Sequence, residues 1–222
     1  MDRPSRRLAA LDPDVRARYT SLVAAVAPAV EKALSAAVSA NRVVASRVRP
    51  PLLRLAPWRA ERSRFTRRLS ALAAAAPCLL LADVRDCYGS IGPGIVERTL
   101  RSMGCGAAEA AAVGVFLGEL GERGVRGLPV GPDPSAVLAN AVLSGMDDAV
   151  EASGARHLRW VDDVVIAVRE PADASGHLAA LRGALEPLGL HLNEAKTRVV
   201  LDPAEIGRSG AISAARASPP VG

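Results

Sequence analysis

RWVDDVVIA, residues 159–167, decides how the rest of the chain is read. Asp162 and Asp163 stand between apolar flanks: Trp160 and Val161 before them, Val164, Val165 and Ile166 after. An Asp-Asp pair alone is ordinary turn chemistry. Flanks that bury the segment on both sides turn it into a hairpin over 157–169 with an acidic tip. The third acid of interest, Asp83, ends an apolar run from Cys78 to Val84 that is too short for a helix and reads as a buried strand. Neighbouring strands in one sheet would carry Asp83 to the hairpin tip.

Three carboxylates brought together need a reason, because two like charges about 4 Å apart repel by roughly 4 kcal/mol at an effective dielectric of 20. Divalent cations supply one. Phosphoryl and nucleotidyl transfer relies on metal ions held by oxygen ligands, and two such ions activate the attacking oxygen and stabilise the leaving one. Asp83, Asp162 and Asp163 are therefore the candidate metal ligands and catalytic residues. Successive strand residues face opposite ways, so Asp83 and Asp162 are expected as principal ligands and Asp163 as a supporting one.

Outward from these strands the pattern is mostly helical. Asp12-Pro13 reads as a helix start, followed by Leu22, Val23, Val26, Val30, Leu34 and Val38 at helical spacing, with Pro28 as a kink. Helices are expected from Gly92-Pro93 to Gly104, over 107–123, over 135–152 and over 172–188, and a strand pair around Asn193-Glu194. The order gives an α+β fold with helices on one face of an antiparallel sheet. The expected organisation is an N-terminal helical, basic region over 1–75, a catalytic domain over 76–202 and a weakly ordered tail over 203–222, where Gly, Ser, Ala and Pro dominate.

Charge is unevenly spread. Residues 1–70 hold 15 Lys and Arg against 5 Asp and Glu, whereas the remainder holds 13 against 18. A basic front beside an acidic back suits a polyanion grip next to a carboxylate site. The stretch 42–68 is the most basic, and Arg47, Arg59, Arg62 and Arg64 are candidates for holding triphosphate or template phosphates, since the guanidinium fork matches them. Trp58 and Phe65 are interleaved there and are expected chiefly as core, with base stacking the alternative. Three cysteines, an odd number without zinc-type spacing, indicate neither a disulfide framework nor a metal finger. With no secretory signal and a first apolar segment broken by Pro28, Glu31 and Lys32, the expectation is a reduced, cytoplasmic protein with no membrane span.

Four segments together resemble the palm motifs of the reverse transcriptase family. LLLADVRDCYGSI, residues 79–91, is similar to its strand-then-aspartate segment, with the catalytic aspartate on Asp83, Val84 beside it at the nucleotide, and Tyr88 on the aromatic that packs under the incoming sugar. GLPVGPDPSAVLAN, residues 127–140, resembles the loop and helix under template base and nucleotide. On that resemblance Gly131 and Pro132 would line the nucleotide and Ser135 the nucleic acid. RWVDDVVIA is similar to the family's YxDD signature, with Trp160 in place of tyrosine. LGLHLNEAKTRVV, residues 188–200, resembles the segment after the catalytic hairpin, with Lys196 on a lysine proposed to protonate departing pyrophosphate.

The resemblance implies a right-hand polymerase palm with small helical fingers and a thumb largely missing. It implies RNA-directed DNA polymerase activity with two Mg2+ ions (Mn2+ as substitute), acting on a template-primer and deoxynucleoside triphosphates. Little room for thumb helices follows the fourth motif, so the expectation is that either a protein partner supplies the thumb, or processivity is low, or the sequence is a truncated product. Val130, where many members carry glutamine, makes the GP-containing loop similar to the abortive-infection, defence-associated bacterial branch. The alternative is a catalytically weak or inactive nucleic-acid-binding module, or a subunit of a larger complex.

Overall fold

The computed structural model describes residues 11–45, 52–204 and 206; Arg47 and the expected tail from 207 onward lie outside the described residues. The chain divides into two compact units. Met1–Leu34, Asn41–Ala56 and Asp86–Val142 make the first; Ser35–Ala40, Pro57–Arg85 and Leu143–Gly222 make the second.

The first unit is helical. Helix α1 spans Pro13–Ala33, with Asp12 at its N-cap position and Pro13 in its first turn. It stops short of the expected Val38 because Leu34 turns extended while its N–H still reaches the Val30 carbonyl. In the second unit, α2 (Trp58–Ala75) follows and leads into strand β1 (Cys78–Asp83). Back in the first unit, α3 (Cys87–Ser90), α4 (Pro93–Ser102) and α5 (Ala107–Glu122) come next. Tyr19 of α1 is fully buried and stacks on Phe116 of α5 with ring centroids 5.1 Å apart.

Gly127 shows why that position takes glycine. Its φ is +65°, and a Cβ there would lie 2.3 Å from the Tyr88 carbonyl oxygen, to which Leu128 N–H also donates. The glycine thus lets the 127–132 loop close on the backbone of α3. Gly127→Ala should lower stability by about 2 kcal/mol or more, from left-handed strain plus backbone collision. A denaturant midpoint measured against wild type checks this.

The second unit holds the sheet. Helix α6 (Asp133–Ala152) crosses into it from the first unit, followed by β2 (His157–Trp160), β3 (Asp163–Val168), α7 (Ala174–Leu185) and β4 (Arg198–Val200). The four strands lie in the order β2-β3-β1-β4, every pair antiparallel. All six residues of β1 are buried, which is why its sequence reads as an unbroken apolar run instead of alternating.

On one face Leu79, Leu81, Leu158 and Val165 pack against Phe65, Leu69, Leu72 and Ala73 of α2. Those four recur at i, i+4, i+7 and i+8, a single helical face. Burying a Phe or Leu this completely is worth roughly 1.5–3 kcal/mol each. The expected helix-covered face is present, and the other face also meets a helix, because Asp147 of α6 bonds His157 and Arg159, which alternate away from α2.

The expected strand pair at Asn193-Glu194 does not form. Leu192 bridges Val84 and Arg198–Val200 pairs with β1, so both flanks follow the same edge while 193–197 loops out. Val38, expected in the first helix, instead bridges Arg159. Among the described residues no helix is long and apolar enough to cross a membrane. The three cysteines are unbridged.

Candidate active site

The site grows out of strand register. Asp83 closes β1 and Asp163 opens β3, and the two are directly paired across the ladder. Trp160 closes β2 opposite Asp163, so Val161 and Asp162 form the whole connection between β2 and β3. Such two-residue hairpin loops call for positive φ at a central position, usually filled by glycine. Here Val161 takes it, with φ +57°. For a β-branched residue this is an outlier costing about 1–3 kcal/mol, a form of strain that clusters at functional sites.

The turn changes how the aspartates relate. Asp162 lies in the connection, not on the strand, so strand alternation does not separate it from Asp163. One carboxylate oxygen from each of Asp83, Asp162 and Asp163 lies within 4.8 Å of the others. Asp83 is 1% exposed and the other two are half-buried. Backbone bonds pin the group: Val84 N–H donates to the Asp162 carbonyl, and Asn193 N–H to the Asp83 carbonyl at 2.7 Å.

The looped-out residues 193–197 place Lys196 over the same carboxylate. Its Nζ lies 3.2 Å from Asp83 Oδ1 and 3.4 Å from Oδ2. The locus therefore accommodates positive charge, and its three carboxylates are the hard oxygen donors that Mg2+ and Mn2+ take. Without a cation each carboxylate pair repels by about 3.5 kcal/mol at an effective dielectric of 20.

Beside the hairpin, Arg62 lays its guanidinium 5.2 Å from the Trp160 ring centroid and 5.8 Å from that of Phe65. Phe65 is core, as expected, but Trp58 is not: it is 65% exposed and meets Trp160 edge-on at 6.3 Å. Arg59 is exposed, and Arg64 pairs with Glu61 at 3.1 Å.

The remaining sequence-derived residues are distributed as follows. Val84 is buried and spends its N–H on Asp162. Tyr88, Gly131, Pro132 and Ser135 belong to the first unit. There Tyr88 is half-buried, Gly131 exposed and Pro132 buried. The Ser135 hydroxyl is fully buried and hydrogen-bonded to the Tyr19 hydroxyl at 3.0 Å, so it is engaged in the protein interior. Burial pushes the Tyr19 phenol well above its ordinary pKa, with the Ser135 bond working against the rise.

One group escaped the sequence reading. Asp147, His157 and Arg159 are all buried. Arg159 Nε lies 3.0 Å from both Asp147 oxygens and Nη2 lies 2.7 Å from Oδ2, while His157 Nε2 is 3.0 Å from Oδ1. Burial alone would raise the Asp147 pKa, but the Arg159 charge and the bonds from His157 and Arg159 outweigh it and hold the carboxyl below its ordinary value. The available signal was an arginine on a four-residue strand flanked by Leu158 and Trp160, which needs an acid on a packed helix.

Comparison with known proteins bears on the whole arrangement. A search of curated proteins finds no match. The family model described as reverse transcriptase (RNA-dependent DNA polymerase) matches residues 15–214, a span that takes in the sheet, the acidic hairpin and the helices around them. With nearly its full length matched, and an α+β fold whose antiparallel sheet carries the acidic cluster at its strand ends, the chain belongs to the reverse transcriptase family.

Proposed function

We propose that this chain is an RNA-directed DNA polymerase whose Asp83, Asp162 and Asp163 hold two divalent ions, Mg2+ with Mn2+ as substitute. The observation that carries the reading is the convergence of three carboxylates, from two stretches of sequence about 80 residues apart, to within 4.8 Å. The bound ions would activate the attacking hydroxyl and neutralise charge on the departing pyrophosphate. Lys196, whose ammonium lies beside Asp83, would give a proton to that leaving group. Arg59, Arg62 and Arg64, with Arg47, would hold template or triphosphate oxygens. In this reading 1–75 serves as fingers and 76–202 as palm. Val130 in the 127–132 loop supports a role in antiphage defence.

Tyr88 carries the sugar-selecting role on the strength of the motif it shares with the family. Tyr88→Ala should admit ribonucleotides, lowering discrimination by about tenfold or more, on the scale of a lost steric contact. Competing single-nucleotide incorporation of ribo- and deoxynucleotide measures this, and unchanged selectivity removes the role. The polymerase reading itself is tested by metal-dependent incorporation of labelled deoxynucleotide by the purified chain on an RNA template with a DNA primer. Absence of incorporation with both Mg2+ and Mn2+ would refute it.

A further inference from the structure

The geometry points to Arg159 as a positioning residue for Asp162: a buried guanidinium that fixes the peptide immediately before that carboxylate. Its Nη1 donates to the Val161 carbonyl at 2.9 Å. That carbonyl belongs to the peptide joining Val161 to Asp162, and Val161 is the residue at φ +57°. Valine has no local preference for this conformation, so the turn needs an outside hold. Arg159 supplies it from a side chain that is itself immobilised, being 0% exposed with Nε and Nη2 bonded to Asp147. Asp147 in turn stands on α6 and also meets His157. The tip carboxylate is thereby referenced to the interior of the second unit instead of to a free loop.

A stabilising role alone does not account for the group. A buried ion pair adds little over an apolar pair of equal volume. What an apolar pair lacks is a donor for the Val161 carbonyl. The planar guanidinium can bind a carboxylate with one edge and a carbonyl with another nitrogen, whereas a lysine ammonium is a point donor that cannot span both.

This inference rests on the polymerase reading of the carboxylate trio, so its test carries a second readout. In the full chain, Arg159→Lys keeps the charge opposite Asp147, and the double variant Asp147→Leu/Arg159→Met replaces the pair with apolar volume. Mn2+ titration calorimetry and steady-state incorporation are run on each, with circular dichroism and melting to establish folding. Expected for a folded variant is a loss of about 10- to 100-fold in Mn2+ affinity and in kcat, the size seen when a group orienting a metal ligand is removed. KM for the deoxynucleotide should stay roughly constant, since ground-state nucleotide contacts are untouched.

A folded variant with wild-type Mn2+ affinity and kcat overturns the inference. Failure of both variants to fold assigns the pair a purely structural role and also overturns it. If wild type binds Mn2+ but incorporates nothing, the polymerase reading fails, and weaker Mn2+ binding in the variants still supports the positioning role.

Discussion

Asp83→Asn should reduce nucleotide incorporation on the order of a thousandfold or more, equivalent to about 4 kcal/mol of barrier, while the chain stays folded. The substitution preserves shape and removes one charge from a buried site. In the absence of metal it relieves repulsion with Asp162 and Asp163, which lie within 4.8 Å, and removes the charge that pairs with Lys196 at 3.2 Å. These effects oppose each other, so the melting temperature should stay level or rise. Lost turnover with undiminished stability is the signature of a group kept for chemistry. Single-nucleotide incorporation and thermal melting on the same preparation read both quantities. Retained incorporation would remove Asp83 from the site, and a collapsed fold would make it structural.

The largest stability effect should come from the opposite direction. Asp147→Ala leaves Arg159 charged, buried and without its main counter-ion, which costs about 3–5 kcal/mol. The same carboxylate makes stability depend on pH. Its pKa is lowered in the folded chain, chiefly because Arg159 and His157 outweigh the effect of burial. An acid with a depressed folded pKa contributes stability that is fully present above its unfolded value and lost as pH falls through the folded one. Wild type should therefore weaken below about pH 4, where an ordinary carboxyl begins to protonate. The apolar pair Asp147→Leu/Arg159→Met should show a flatter curve over that range. Denaturant unfolding from pH 7 downward measures the difference, and parallel curves would contradict it.

The sequence exposed the parts of this molecule that local pattern controls. A continuous apolar run gave β1, and apolar flanks around Asp162 and Asp163 gave the hairpin. Helical spacing gave α4, α5 and α6 to within about two residues at their ends, the ordinary uncertainty of boundaries. Convergence of Asp83 with the hairpin followed from placing both on adjacent strands.

What stayed hidden depended on contacts between distant segments. Helix α2 was masked by its arginines: only Phe65, Leu69, Leu72 and Ala73 form its apolar stripe, and charge draws attention to the other face. Trp58 and Phe65 are seven residues apart, yet Phe65 is sealed against the sheet while Trp58, first in the helix, rests exposed on Trp160. The relation between Asp162 and Asp163 turned on a φ angle at Val161, which no residue type there signals. The Asp147–Arg159 pair joins a helix to a strand and carries no spacing that would announce it.

The central claim is that the three aspartates cage divalent cations. Anomalous diffraction from crystals grown with Mn2+ tests it most directly. The account predicts density at coordination distance, roughly 2.0–2.6 Å, from carboxylate oxygens of Asp83 and Asp162, with the Lys196 ammonium moved off Asp83. Manganese bound elsewhere, with Lys196 still paired to Asp83 at saturating metal, would contradict it.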